Sequence, residues 1–122
     1  MTREKLVELY PVIYGDALFS CGNGWNAILA DSGLDLMLLL LRSGAEAHAL
    51  SAREHFGVLS LTIECSPSIA AEVVAIEAEA EAQSARTCEL CGAPGRAGWA
   101  RKGGWYCTLC ETCREKNSEG LQ

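Results

Sequence analysis

The spacing of the cysteines limits the possible folds of this chain more than any other feature of the sequence. Five of its seven cysteines lie within 26 of the 122 residues, in Cys88-Glu89-Leu90-Cys91-Gly92 and Cys107-Thr108-Leu109-Cys110-Glu111-Thr112-Cys113. Two C-x2-C pairs separated by roughly 15–20 residues are a strong signal of a metal site. Four thiolates at about 2.3 Å form the closed tetrahedral site that Zn²⁺ prefers. The spacing therefore predicts a zinc ribbon in this part of the chain.

The second cysteine pair has two registers that the spacing allows. Cys107 with Cys110 leaves 15 residues between the pairs, and Cys110 with Cys113 leaves 18. On a returning strand Cys107 lies on the same face as Trp105 and Leu109, opposite Cys110. Cys110 and Cys113 then lie at the end of the strand, where a tight turn can form. We predict the second register, with Cys107 as a spare thiol and with these four metal ligands: Cys88, Cys91, Cys110 and Cys113.

We expect the zinc to be structural and the protein to be non-enzymatic. A segment of about 30 residues buries too little apolar surface to fold alone, and a metal supplies the missing stability. An all-cysteine site is closed, whereas catalytic zinc keeps an open position. His48 and His55 have no neighbouring nucleophile in motif form, and Cys21 and Cys65 are best explained as small buried hydrophobes.

Periodicity in the remainder of the chain predicts an α+β fold. Apolar residues recur at helical spacing over residues 2–10 and 25–42, and a proline at the first helical position opens a third helix over 67–85. Residues 47–65 predict a two-stranded antiparallel element, with Ala47–Arg53 as its first strand. The second strand, Val58–Cys65, alternates apolar and polar residues, and Gly57 in the turn is free to take a positive φ.

The charge distribution divides the chain near the first cysteine pair. Residues 1–87 contain five basic and twelve acidic residues, and residues 88–122 contain five and four. We therefore predict an α+β body over 1–86, a zinc ribbon over 87–116 and a frayed tail over 117–122. The alanine-rich, acidic second half of the 67–85 helix is expected to be solvated and to hold the ribbon away from the body.

Several short islands resemble a group of small phage and prophage proteins that end in a zinc ribbon. The islands are Cys-Glu-Leu-Cys-Gly-Ala-Pro-Gly-Arg at 88–96, Gly-Gly-Trp-Tyr-Cys-Thr-Leu-Cys at 103–110, Cys-Gly-Asn-Gly-Trp at 21–25 and Arg-Glu-His-Phe-Gly-Val-Leu at 53–59. In that group the last ligand is often a histidine three residues after the third cysteine, and Cys113 stands at that position. The resemblance implies the fold and the metal, and it implies no activity.

Charge and composition favour a protein partner over nucleic acid. The net charge of −6 disfavours contact with a phosphate backbone. Combined with the resemblance, this predicts a phage-encoded inhibitor or modulator of a host system, such as nucleic-acid-guided defence. The candidate surfaces are an acidic helix face (Glu72, Glu77, Glu79 and Glu81) and four apolar or aromatic residues (Leu38, Leu41, Trp99 and Trp105).

Two further expectations concern nucleic acid and membranes. The alternative function is a nucleic-acid-binding or transcription-associated ribbon that uses Arg96, Arg101 and Lys102 beside the tryptophans. The longest apolar run, Leu36–Leu41, is far shorter than the roughly 20 residues of a membrane-spanning helix. The first residues lack the pattern of a secretory signal. We therefore expect a cytoplasmic protein that does not engage a membrane.

Overall fold

The computed structural model describes residues 1–99 and 105–120 and has an α+β fold. The helices are α1 (Arg3–Leu9), α2 (Pro11–Tyr14), α3 (Asn26–Ser43), α4 (Ala70–Ser84) and α5 (Glu111–Gly120). The strands are β1 (Leu18–Ser20), β2 (Ala47–His55), β3 (Val58–Cys65), β4 (Arg96–Trp99) and β5 (Tyr106–Leu109). Short 3-10 turns precede α3 and α4. The three predicted helices correspond to α1, α3 and α4, so the predicted fold class is confirmed.

The sheet of the body has three strands in the order β1-β2-β3, where the sequence predicted two. The antiparallel β2–β3 hairpin is present as predicted, although β2 continues past Arg53 to His55. The strand that the prediction missed is β1, which pairs parallel to β2 with Leu18 opposite Ser51. A strand of three residues carries no usable periodicity, and its partner lies some thirty residues along the chain. The segment between the first two predicted helices therefore holds both α2 and β1.

The turn between β2 and β3 has a strained geometry. Its two central residues, Phe56 and Gly57, have φ values of 51° and 85°. Positive φ at both positions is what a two-residue type I′ turn requires, and it matches the twist of the flanking strands. The carboxylate of Glu54 accepts a hydrogen bond from the Gly57 N–H at 2.6 Å. The predicted positive φ of Gly57 is confirmed, and Phe56 shares it although it has a side chain.

Helix α3 supplies one side of the core. Its buried face includes Leu29, Leu36 and Leu39, while Leu38 and Leu41 are 50% and 77% exposed. By length and composition alone, the segment Asn23–Ser43 would also suit a membrane span. Half of that segment is buried inside the protein, which is the pattern of a core helix with one apolar face left open.

Helix α4 covers the open edge of the sheet at β3. The hydroxyl of Ser84 accepts a hydrogen bond from the Leu59 N–H at 2.7 Å, and the Glu77 carboxylate accepts one from the Ile63 N–H at 3.0 Å. Such contacts satisfy edge donors that would otherwise be free to pair with another chain. Glu77 is therefore occupied by the sheet edge and does not belong to a free acidic face, whereas Glu79 and its exposed neighbours remain on the solvent side.

The described part of the chain ends in helix α5. This helix continues to Gly120 and so includes residues 117–120 of the predicted tail. The hydrogen bond from the Arg114 N–H to the Cys110 carbonyl oxygen starts this helix directly after β5. Residues 121–122 of the predicted tail lie outside the described residues.

Candidate metal centre

Two tight turns present the four predicted ligands. Cys88 and Cys91 lie on a turn closed by a hydrogen bond of 2.9 Å from the Gly92 N–H to the Cys88 carbonyl oxygen. Gly92 has a φ of 82°, a conformation that favours glycine. Cys110 directly follows β5, and Cys113 lies in the first turn of α5. The knuckle, which is the turn over residues 88–92 after α4, thus approaches the strand-to-helix turn over residues 110–113. Both cysteine pairs face inward.

The four sulfur atoms form a compact cluster. The Sγ atoms of Cys88, Cys91, Cys110 and Cys113 all lie within 4.8 Å of one another. The Cys91 and Cys110 sulfurs are 3.6 Å apart. Zinc–sulfur bonds of about 2.3 Å imply a tetrahedral edge of roughly 3.8 Å. Among the described residues, this is the one group of His, Cys, Asp and Glu side chains that fits a shared metal ion, and its geometry is compatible with zinc.

The backbone around the cluster favours thiolate at one position. Burial raises the pKa of the Cys88 thiol, but N–H groups of Cys110, Cys91 and Leu90 donate to its sulfur and bring the pKa down to about 7. Burial, followed by hydrogen bonding with the other thiols, raises the pKa of Cys113 to about 12. Crowded thiols are costly to ionise together, and a divalent cation removes that cost. The donor set therefore fits a cation that binds thiolate.

Cys107 lies apart from the sulfur cluster. Its side chain is fully buried and packs with Cys88 and Leu109 in a small second core. Its Sγ contacts the carbonyl oxygen of Trp105 at 3.9 Å. The structure thus brings together the four cysteines of the predicted register and gives Cys107 a packing position.

The ribbon packs directly on the body, and the prediction that α4 holds it away is wrong. The N–H groups of Gly22 and Gly24 donate to Glu89, to its side-chain Oε2 at 2.9 Å and to its carbonyl oxygen at 2.7 Å. The indole of the fully buried Trp25 donates to the Thr87 carbonyl oxygen at 2.9 Å. The segment 22–25 thus holds the knuckle next to Cys88. The signal for this contact was the Gly-Asn-Gly-Trp sequence, in which glycines beside an aromatic residue permit close backbone approach.

A second contact joins the β2–β3 turn to β5. The Thr108 hydroxyl donates to the Gly57 carbonyl oxygen at 2.6 Å, and Thr108 is fully buried. A Cβ atom on Gly57 would lie 3.1 Å from the ring of Tyr106. Gly57 is therefore required by close packing as well as by its φ value. The prediction was wrong because backbone groups of Gly22, Gly24 and Gly57 and the indole of Trp25, all distant in sequence, contact the ribbon.

Of the three basic residues proposed to bind nucleic acid, the structure describes Arg96. Arg96 pairs with Glu111 at 2.7 Å on an exposed surface. Arg101 and Lys102 lie outside the described residues. The tryptophans beside them are exposed, Trp99 by 66% and Trp105 by 40%. Aromatic surface is thus available at this hairpin, and one of the three proposed cations already has a carboxylate partner.

The remaining candidate side chains are spread over the body. Cys21 lies near Arg3, whose Nη2 is 3.8 Å from the sulfur, and burial raises the pKa of this thiol. His55 stacks edge-on against Phe56 with 4.7 Å between ring centroids. His48 and Cys65 are half-buried on β2 and β3. The sulfur cluster includes none of these four candidates.

Comparisons of the chain with protein-family models, with curated proteins and with solved structures found no match. The phage and prophage resemblance therefore rests on the short sequence islands alone.

Proposed function

We propose that this chain is a non-enzymatic protein-interaction module whose ribbon is held by one structural zinc ion. The observation that carries the proposal is the sulfur cluster, with all four Sγ atoms within 4.8 Å of one another. Four thiolates would complete the coordination of zinc and leave no position for a substrate or a water molecule. The cytoplasm suits such a site, because thiols remain reduced there.

The interaction role is supported by apolar side chains that the fold leaves uncovered. Trp99, Phe56 and Leu41 are exposed by 66%, 75% and 77%, respectively. Burial of such side chains against a partner releases ordered water and stabilises the complex. The proposal extends, through the sequence resemblance, to a phage-encoded inhibitor or modulator of a host system such as nucleic-acid-guided defence.

Metal analysis of single-cysteine variants tests the zinc proposal. Elemental analysis of the purified protein should find one zinc per chain, and Co²⁺ substitution should give the visible absorption of a tetrathiolate site. Cys113→Ser should reduce zinc content sharply, because it removes a ligand. Cys107→Ser is the matched control and should retain one zinc ion. Retention of zinc by Cys113→Ser, or its loss from Cys107→Ser alone, would contradict the ligand set.

Affinity purification with mass spectrometry tests the interaction role. The zinc-loaded chain should recover a specific host protein at moderate salt. Charge reversal of Glu72, Glu79 and Glu81 then tests the acidic helix face separately from the exposed aromatic side chains. These three side chains are exposed, so their reversal should leave the fold intact. Recovery of no specific protein would contradict the interaction role.

A nucleic-acid-binding ribbon remains the second candidate, because exposed Trp99 and Trp105 could stack on bases. It predicts binding to single-stranded oligonucleotides that weakens steeply with salt and is lost in an Arg101→Ala/Lys102→Ala variant. The zinc-interaction proposal predicts no such binding. An electrophoretic shift assay over a salt series separates the two.

A further inference from the structure

A shallow cavity lies where the β2–β3 turn meets the β4–β5 hairpin. Its volume is about 310 Å³, at the small end of the range for ligand sites and suited to one side chain. We call it the aromatic pocket. It is lined by Glu54, His55, Phe56, Trp99, Trp105 and Tyr106.

Four of the five rings that line the pocket form two pairs, and the pocket is open to solvent. Trp99 and Tyr106 meet edge to face with centroids 5.1 Å apart at an angle of 74°. His55 and Phe56 form a second edge-on pair on the other hairpin. A cluster of aromatic side chains left this exposed is unusual on a protein surface and marks a binding site.

The pocket is formed by the packing of the ribbon on the body. Thr108 and Tyr106 on β5 contact Gly57, and this contact fixes the distance between the two hairpins. Side chains that are already positioned lose little freedom when a ligand binds, which favours affinity. The backbone of Phe56 is a second indication of a binding site, because it adopts a φ of 51° at a position where asparagine or glycine is usual. Strained residues of this kind cluster at functional sites.

The wall of the pocket combines π faces with one carboxylate. Glu54 is the acidic residue of the lining, and its Oε2 also accepts the Gly57 N–H. Tryptophan faces attract cations most strongly, and a guanidinium is weakly hydrated and stacks on aromatic rings. Of the basic side chains that the structure describes near this hairpin, Arg96 pairs with Glu111 and Arg114 donates to backbone carbonyl oxygens. This chemistry selects for a cation.

We infer that the aromatic pocket binds an arginine side chain presented by a basic segment of a partner protein. The inference deepens the proposed function and rests on it, because it names the chemistry by which the module recognises its partner. The net charge of −6, concentrated in the body, attracts a basic partner and repels nucleic acid. Tryptophan and arginine are also the residue types that contribute most at protein interfaces.

A nuclear magnetic resonance titration of the zinc-loaded, ¹⁵N-labelled full chain tests the inference. The probes are the capped peptide acetyl-Gly-Ser-Arg-Ser-Gly-amide and the same peptide with citrulline, the neutral isostere of arginine. The indole N–H signals of Trp99 and Trp105 should shift, while that of buried Trp25 serves as an internal reference. The arginine peptide should bind roughly 5- to 30-fold more tightly than the citrulline peptide.

Variants assign the binding to this pocket. Trp99→Ala should weaken binding of the arginine peptide at least fivefold, and Trp99→Phe should restore part of it, because a smaller π face remains. Glu54→Gln should reduce the preference for arginine over citrulline, and its amide oxygen can still accept the Gly57 N–H. Leu18→Ala is the control, since it removes an exposed apolar side chain on β1 outside the pocket, and it should bind as wild type does.

Three outcomes would overturn the inference. Equal affinity for the arginine and citrulline peptides would mean that the pocket does not recognise positive charge and acts only as an apolar surface. Shifts of equal size at Trp25 would place the binding elsewhere or report unfolding. Tighter binding of a thymine oligonucleotide than of the peptide would assign the pocket to base stacking. Zinc content is measured in each sample. Failure of peptide binding in a chain that holds one zinc ion refutes this inference alone, whereas absence of zinc refutes the proposed function.

Discussion

Replacement of Gly24 by alanine tests whether the ribbon and the body form one packed unit. A Cβ atom at this position would lie 2.2 Å from the Cys88 carbonyl oxygen and 2.5 Å from the backbone of Glu89. All of these atoms belong to the main chain and cannot rotate away. The two segments must therefore separate by about 1 Å to regain ordinary van der Waals contact.

That separation breaks the hydrogen bonds that hold the knuckle. The bond from the Gly24 N–H to Glu89 has a length of 2.7 Å, and the bond from Gly22 to the Glu89 carboxylate has a length of 2.9 Å. A neutral hydrogen bond contributes about 1 kcal/mol net, and one to a charged group about 1.5–3 kcal/mol. We expect Gly24→Ala to lower the free energy of unfolding by about 2.5–4 kcal/mol.

Urea unfolding of the zinc-loaded protein, followed by circular dichroism, measures this change. With a denaturant slope of about 1–3 kcal/mol per molar urea, the midpoint should fall by roughly 1–4 M. Gly44→Ala is the matched control, because Gly44 has a φ of 71° and no atom within 4 Å of an added Cβ. Gly44→Ala should lower the free energy of unfolding only by the cost of a left-handed backbone at a residue with a side chain, which is about 1–2 kcal/mol. A midpoint for Gly24→Ala no lower than that of Gly44→Ala would refute direct packing of the ribbon on the body.

Three other perturbations have defined outcomes. Ser84→Ala should destabilise the fold by about 1–3 kcal/mol in urea unfolding, because it leaves the buried N–H of Leu59 without its acceptor. Tyr14→Phe should cost about 1 kcal/mol by the same assay, since it removes the buried 2.6 Å bond to the Leu29 carbonyl oxygen. Removal of zinc by a chelator should lower the melting temperature of the whole chain, because free zinc at a thousandfold excess over its Kd stabilises a protein by about 4 kcal/mol.

Each of these has its own control. Ser68→Ala, at an exposed position before α4, should change stability by less than about 0.5 kcal/mol. Equal effects of Ser84→Ala and Ser68→Ala would show that the edge of β3 does not depend on α4. Stability of Tyr14→Phe equal to wild type would mean that the Leu29 carbonyl finds another donor. For chelation, Cys113→Ser should melt at one temperature with and without chelator, and an unshifted wild type would argue against metal-linked folding.

Local patterns in the sequence predicted most of the elements and the cysteines that form the sulfur cluster. The spacing of Cys88, Cys91, Cys110 and Cys113 places each pair on one tight turn, and turn geometry depends on neighbouring residues alone. The helices α1, α3 and α4 and the β2–β3 hairpin follow from periods of 3.6 and 2 within short windows. The positive φ of Gly57 is of the same kind, because the two-residue turn requires it and the absence of a side chain permits it.

The packing of these elements could not be predicted from local patterns in the sequence. Pairing of β1 with β2, capping of the β3 edge by Glu77 and Ser84, and the contact of residues 22–25 with Glu89 all join residues far apart in sequence. Such contacts leave no periodic trace, since one residue at each end is enough to make them. The second half of α4 was predicted to be solvated because of its acidic residues. Two residues in this half, Ala80 and Ser84, are nevertheless buried. The aromatic pocket exists for the same reason, because its two walls meet only after the ribbon packs on the body.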